Sequence, residues 1–321
     1  MYAVSGAPTL EGMRRLAPVF GLLLLAPWVG EYLLGNISVR LFVALPFLIP
    51  LYGGGALLIR EVARRTGGGW PAILVLGAAY GVIEAGLVDQ TLFHPPLAPQ
   101  STPVLGISAY NAIAFVVGHA VWSIAIPIAI VEMLTPGRRT TPWLGKVGLA
   151  VTGLLYLFGC WIIFDDMRTT EHFMATPAQR VATAAVALTL ILLGLALPRR
   201  SSGADARGVP GPWLLGVGTF VVSGAFFARP EDWFGVWLGL ALLGVAAAAI
   251  LYWSRSAGWT VRHQFALVAG ALPTYAWGGF VLTWLLEPDD PVRWVGNAVF
   301  ALAAGALLIV VHRVALQDQG K

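Results

Sequence analysis

Two ionisable residues sit in stretches where hydrocarbon-compatible side chains are otherwise the rule. Glu84 interrupts the run AILVLGAAYGVIEAGLVDQTLF, and His119 interrupts AYNAIAFVVGHAVWSIAIPIAI. An ionisable group at mid-bilayer costs about 2.5 kcal/mol or more, so such residues face the bundle interior and mark functional sites by default. At about 1.5 Å rise per residue, Glu84 lies about 14 Å below the end of its helix at Phe93. His119 lies about 15 Å below the start of the next, descending helix. The two match in depth on neighbouring antiparallel spans. A carboxylate and an imidazole at one level can share a proton or hold a divalent metal together. No cofactor is otherwise indicated.

Helical phase gives the same picture. Gly77, Tyr80, Gly81, Glu84, Val88 and Thr91 recur at i+3/i+4 spacing on one stripe. Small residues there let a second helix approach closely and bury Glu84 against it. On the following span Phe115, His119, Trp122 and Ser123 share a face. Glu31 and Asp89 form a shallower layer, each four residues from an outer helix end, and Asn111 is a further polar residue of the first four spans. Asp89 stands about 140° round the helix from Glu84 and is expected at the outer mouth, or paired with Arg40 or Arg168. Glu84 and His119 are the candidate catalytic pair; Glu31, Asp89, Asn111, Phe115, Trp122 and Ser123 are candidates to bind substrate or support the pair. A purely structural hydrogen bond between Glu84 and His119 would require the same arrangement.

The elements that must position these residues follow from composition. Of 321 residues 58% are hydrophobic and only 11% charged, against about 25% charged in soluble domains. The fold class is all-α, a polytopic transmembrane helix bundle. About 20 apolar residues cross the ~30 Å hydrocarbon layer. Ten segments qualify: 16–35, 41–59, 70–93, 109–134, 147–164, 181–197, 213–228, 233–253, 264–286 and 295–312. The first follows Arg14 and Arg15 without a small-x-small cleavage site and reads as a retained span. Segments 213–228 and 233–253 are joined by a short turn and could form one re-entrant hairpin.

Placing both termini in the cytoplasm puts 15 of the 20 basic residues on the inner side, as the positive-inside rule requires. The net charge of +4 therefore expresses orientation, and no nucleic-acid partner is implied. The expected partner is the lipid bilayer and the expected location the cell membrane, as a multi-pass protein. The chain reads as one integral membrane domain, with a polar-site half (16–172) and an apolar scaffold half (181–313) joined by residues 198–212. The single cysteine, Cys160, excludes disulfides and cysteine metal sites.

Other features are weaker. Pro46, Pro50 and Gly53-Gly54-Gly55 should break the second span, as in transporter binding sites, unless they only kink it. Asp165, Asp166, Glu171, His172 and His94 form an acidic outer group that could take a divalent cation or remain a solvated loop. Glu61 and Glu132, beside Arg60, Arg64, Arg138 and Arg139, are expected as interfacial salt bridges. The outer loop 94–99 is proline-rich and stiff.

Glu84 and the later Phe115-Val116-Val117-Gly118-His119 resemble the CPBP family of intramembrane peptidases over roughly residues 70–135. That family carries Glu-Glu-x-x-x-Arg, then Phe-x-x-x-His, then His-x-x-x-Asn or Asp. Here Ala85 replaces the second Glu, Asp89 stands at the Arg position, and no third motif occurs. The resemblance implies that Glu84 activates a water and His119 stabilises an oxyanion, on a lipid-embedded peptide or small-molecule substrate. Ten spans also suit a proton-coupled secondary transporter of drug/metabolite type, with Glu84 as the coupling carboxylate, or a non-catalytic membrane subunit.

Overall fold

In hydrocarbon a backbone must satisfy its N–H and C=O groups within its own helix, and the apolar runs of this chain do so. The computed structural model describes residues 10–94, 101–197 and 208–317. Ten helices run through them: α1 (Arg15–Leu33), α2 (Val39–Thr66), α3 (Gly69–Val88), α4 (Ala109–Leu134), α5 (Lys146–Thr169), α6 (Pro177–Ala196), α7 (Pro212–Phe227), α8 (Trp233–Trp253), α9 (Val261–Leu286) and α10 (Pro291–Ala315). Among the described residues nine are long and apolar enough to cross a membrane. Helix α7 is the exception. Its 16 residues extend about 24 Å, short of the ~30 Å layer. Helices α7 and α8 are separate, and Asp232 caps α8 by accepting from Gly235 N–H at 2.8 Å. Residues 95–99 and 201–207, with Arg199, Arg200, Arg207 and Lys321 used in the orientation argument, lie outside the described residues.

Local chemistry sets the ends. Thr176 and Gln179 form a capping box at the start of α6, with Pro177 in its first turn. Gly67, in the left-handed region at φ 75°, stops α2. A two-stranded hairpin, β1 (Pro103–Val104) and β2 (Ile107–Ser108), precedes α4. Its turn residues Leu105 and Gly106 both have positive φ, as a tight hairpin requires. It is the one sheet among the described residues.

The second span is not broken. It runs from Val39 to Thr66 with a kink at Leu41, well before the prolines and glycines, and changes pitch from 3-10 (Val39–Ala44) through α to a π turn (Ile49–Gly53) and back to α (Gly54–Thr66). Pro46 and Pro50 each fall at the start of one of these segments. Gly53 lies so close to the Leu23 backbone that a Cβ would collide with it, and a Cβ on Gly55 would meet the Tyr80 ring at 2.5 Å. The kinked, glycine-packed form of the span is the one observed.

Helix α3 packs between α6 and α4, and α9 packs against α7 and α10. Large apolar side chains on the outward faces of α5, α6 and α8, including Leu154, Trp161, Leu188 and Trp237, are exposed. Apolar surface on that scale belongs to a membrane-facing protein.

Glu61 and Glu132 form the expected salt bridges, inside the protein rather than on its surface. They are buried with Arg60, which is itself fully buried. Arg60 reaches Glu61 at 2.7 Å and Glu132 at 3.1 Å, and Arg64 reaches Glu132 at 2.5 Å. Arg60 Nη2 also donates to the carbonyls of Arg138 and Arg139, both at 3.1 Å. Its guanidinium lies 3.6 Å over the Trp143 ring. Glu61 accepts from the backbone N–H of Trp143 and Leu144 at 2.8 and 3.2 Å. Buried charges persist only when so completely paired. The cluster locks α2 and α4 to the segment between α4 and α5.

Candidate functional site

The site is assembled from four π turns. Glu31 lies in Trp28–Leu33 of α1, Tyr52 in Ile49–Gly53 of α2, Glu84 in Glu84–Val88 of α3 and His119 in His119–Ala125 of α4. Such turns, in which N–H bonds reach back five residues, are rare and concentrate at functional sites. Each widens the helix locally and re-aims the side chain it carries.

His119 Nε2 lies 3.0 Å from Glu84 Oε2. The approach depends on glycine: a Cβ on Gly81 would meet Val116 Cα and O at 3.0 Å and His119 Cβ at 3.1 Å, and one on Gly77 would meet Ala120 at 3.2 Å. His119 Nδ1 stands 2.7 Å from the Phe115 carbonyl oxygen. Tyr52 Oη lies 2.5 Å from Glu31 Oε1 and 3.1 Å from Glu84 Oε1. Asn36 Nδ2 donates to Glu31 Oε2 at 2.6 Å. Glu31, Tyr52 and Glu84 are buried, and His119 is only 14% exposed. Around them the rings of Tyr52, Tyr80 and His119 pack with centroids about 6 Å apart.

The protons in this set can be counted from donor and acceptor chemistry. A carbonyl only accepts, so Nδ1 of His119 carries hydrogen and donates to Phe115. Two bare lone pairs facing each other at 3.0 Å would repel, so one proton resides on Nε2 or on Glu84 Oε2. A phenol has one hydrogen, yet Tyr52 bonds two carboxylates; it donates to one and accepts from the other, which must be protonated. Two protons beyond those of the phenol and Nδ1 are thus placed, and they offset both carboxylate charges. The buried set is then neutral, as a low-dielectric interior favours. The Nε2–Oε2 contact is close but off the hydrogen-bond line, so Glu84 Oε2 is buried without an aligned hydrogen bond. That oxygen retains acceptor capacity.

The other sequence candidates divide. Glu31, assigned with Asp89 to a shallower layer, is joined through Tyr52 to Glu84. Asp89 pairs with neither Arg40 nor Arg168. It accepts from Thr91 N–H and Oγ1, both at 3.0 Å, while Arg40 binds Asp290 at 2.9 Å and Arg168 binds Asp165 at 2.7 Å. Phe115 contributes its carbonyl. Trp122 does not share the face of His119: Nε1 donates to Ala271 O at 2.9 Å and the indole stacks on Tyr275 at 4.6 Å. Ser123 backs onto Gly30, the neighbour of Glu31. Asn111 sits in the first turn of α4, where its N–H donates to Ser108 Oγ at 3.2 Å. It lies eight residues, about 12 Å, from His119 and is not brought to the site. Tyr52 is the residue that sequence reasoning misses. A hydroxyl among Pro50, Gly53 and Gly54, in the most distorted span, is the signal that could have found it.

Among the described residues no three of His, Cys, Asp and Glu stand together as a metal cage needs. The acidic outer group supplies none: Asp165 is paired with Arg168, and the His94 ring packs on Phe173 at 4.9 Å. The geometry suits proton transfer between an acid and a base that share a buried position.

No curated protein and no solved structure matches the chain. No model of the CPBP peptidases matches it. One family model does match, over residues 21–316, nearly the full length, and the chain accordingly belongs to an uncharacterized membrane protein family.

Proposed function

We propose that this integral membrane protein is a membrane-embedded hydrolase acting on a lipid-embedded substrate, with Glu84 and His119 as its acid–base pair. The observation that carries this reading is the buried Glu84 Oε2, 3.0 Å from His119 Nε2 and without an aligned hydrogen bond. In the ionised form Glu84 would take a proton from water as the water oxygen attacks a substrate carbonyl. His119 Nε2–H, its ring held through Nδ1 by Phe115, would bond the oxygen that becomes negative. Tyr52 holds Glu84 through Oε1. This division of roles is the one the CPBP likeness implies, and the likeness rests on Glu84, Phe115 and His119 alone. Residence in the cell membrane with both termini in the cytoplasm belongs to the same proposal and rests on the basic-residue bias.

A second reading, proton-coupled transport, draws support from the relay of contacts running Glu31–Tyr52–Glu84–His119 across four helices. The second span, unbroken at its prolines and glycines, weighs against it, because transporter sites use discontinuous helices.

The test reconstitutes wild type and Glu84→Gln in vesicles of native lipid extract, with folding checked by thermal unfolding. Mass spectrometry then searches for a product formed by wild type alone, without a proton gradient. Such a product supports the hydrolase. Gradient-driven uptake of protons without a product, lost in Glu84→Gln, supports transport. Neither signal from two equally folded proteins would sink both.

A further inference from the structure

Asp89 follows directly on the π turn Glu84–Val88, and its N–H donates to the Glu84 carbonyl at 3.0 Å. Regular α pitch would set the two residues about 140° apart. A turn that closes on the fifth residue instead brings Asp89 round almost over Glu84, and helical side chains lean toward the start of their helix. The Asp89 carboxyl thus stands one turn beyond Glu84 on the same side of α3. Glu84 and His119 both lie within electrostatic reach of it. Thr91 N–H and Oγ1 both bond to Oδ1, while Oδ2 accepts no hydrogen bond among the described residues. Nor does a cation among them neutralise it: Arg40 and Arg168 are held by Asp290 and Asp165.

Glu84 is buried and Asp89 half-buried. Toward the Gly69 end of α3 the interior is shut: Ile73 and Tyr80 are buried, and Gly77 and Gly81 press on α4. Toward the Asp89 end it is looser, and every residue of α4 from Asn111 to Val117 is partly exposed, as is His119. The open approach to the pair therefore passes Asp89. We infer that Asp89 is the proton-exchange residue of this site, its unbonded Oδ2 passing protons between water at that end of the bundle and Glu84 Oε2. A proton leaves the Asp89 carboxyl for a water molecule as that water gives another to the Glu84 carboxylate, and the reverse hop empties Glu84 again. Only O–H bonds are exchanged, and nothing is oxidised or reduced. A carboxyl without a cation beside it can hold a proton as well as lose one, as a relay requires. The inference shares the Glu84–His119 pair with the hydrolase reading, in which Glu84 must shed the proton it takes from water, but exchange itself needs no substrate.

The test mixes the full chain, in phosphatidylcholine nanodiscs, rapidly into heavy water. Infrared absorption then follows the protonated carboxyl that the Tyr52 bridge requires, whose band shifts as deuterium replaces hydrogen. Asp89→Asn keeps an oxygen for Thr91 but has no carboxyl proton to pass on. It should slow the shift at least about tenfold and leave the band position and thermal unfolding unchanged. Asp89→Glu should return the rate to near that of wild type. Thr91→Val loosens the same turn but keeps the carboxyl, so it should exchange like wild type. No substrate enters the measurement, so an inactive hydrolase would leave this result standing. Exchange in Asp89→Asn at the wild-type rate would mean that protons enter elsewhere. Slowing that Asp89→Glu does not rescue, or that Thr91→Val shares, would mean a purely structural role. Either result overturns the inference, as would the absence of the band, since no proton would then be there to exchange.

Discussion

His119 holds its own helix with one ring nitrogen and faces Glu84 of the neighbouring helix with the other, at 2.7 and 3.0 Å. The imidazole is therefore held in one orientation from within its own helix, and the acid it faces is oriented independently by Tyr52.

Breaking a buried pair on one side leaves the remaining charge uncompensated, at about 3–5 kcal/mol. His119→Ala is expected to destabilise by about that much. The double variant Glu84→Gln/His119→Ala should cost clearly less than the two single changes together. Denaturant unfolding of the four proteins in one detergent measures the coupling; strict additivity would show that the residues do not interact.

Tyr52→Phe removes the hydroxyl between two carboxylates and should destabilise by about 1–3 kcal/mol, the penalty for unsatisfied buried groups. It should also change the infrared signature of the protonated carboxyl that the bridge requires. An infrared spectrum identical to wild type would mean that no proton is shared through Tyr52.

Gly81→Ala is expected to force α3 and α4 apart, because the new Cβ would sit 3.0 Å from Val116 backbone atoms and 3.1 Å from His119 Cβ. Overpacking of this kind costs about 1–3 kcal/mol and should impair whatever the Glu84–His119 pair does. Gly218→Ala, which meets nothing within 4 Å, is the matched control and should be neutral or mildly stabilising.

Arg60→Met should be among the most damaging changes in the chain. It removes the cation shared by Glu61 and Glu132, leaving Glu132 with Arg64 and Glu61 with Arg65 and two backbone N–H groups, and it frees two backbone carbonyls, an expected loss of about 3–5 kcal/mol. Limited proteolysis between α4 and α5 should rise in parallel, because the cluster pins that segment.

Asp290 lies between α9 and α10, and the Arg40 guanidinium that hydrogen-bonds to it holds its carboxyl below the ordinary value of 3.8. A depressed folded value means the contribution is fully present above 3.8 and lost as pH falls through the lower folded value. Thermal midpoints should therefore decline below pH 3.8 by slightly more in wild type than in Asp290→Asn. Arg40 is largely exposed, so the difference should be small and should shrink with salt.

Hydropathy alone makes nearly all of the helices legible, because hydrocarbon admits few alternatives to an apolar run of the right length. The meeting of Glu84 and His119 is legible too, from equal depth on antiparallel neighbours. What fails is angular arithmetic. Equal steps of about 100° per residue place Trp122 on the face of His119, and depth counted along each helix parts Glu31 from Glu84. A π turn at each of these places breaks the count, so Trp122 turns to Tyr275 and Glu31 meets Tyr52. Nothing in local composition announces a π turn at Trp28–Leu33 or Glu84–Val88. Burial of Arg60, Glu61 and Glu132 is hidden for another reason: charges at a helix end look interfacial until a loop such as 138–144 is seen folded over them.

The four widened turns also make the chain sensitive to its length. Removing one residue from Glu84–Val88 would restore ordinary pitch and shift the residues that follow α3, among them Gln90, whose Oε1 accepts from Ala175 N–H, while the part bearing Gly77 and Gly81 kept its seat against α4. Deletions there should be tolerated far less than substitutions of the same residues, so relatives that keep this assembly should align through these four short stretches without gaps, however far their side chains have drifted.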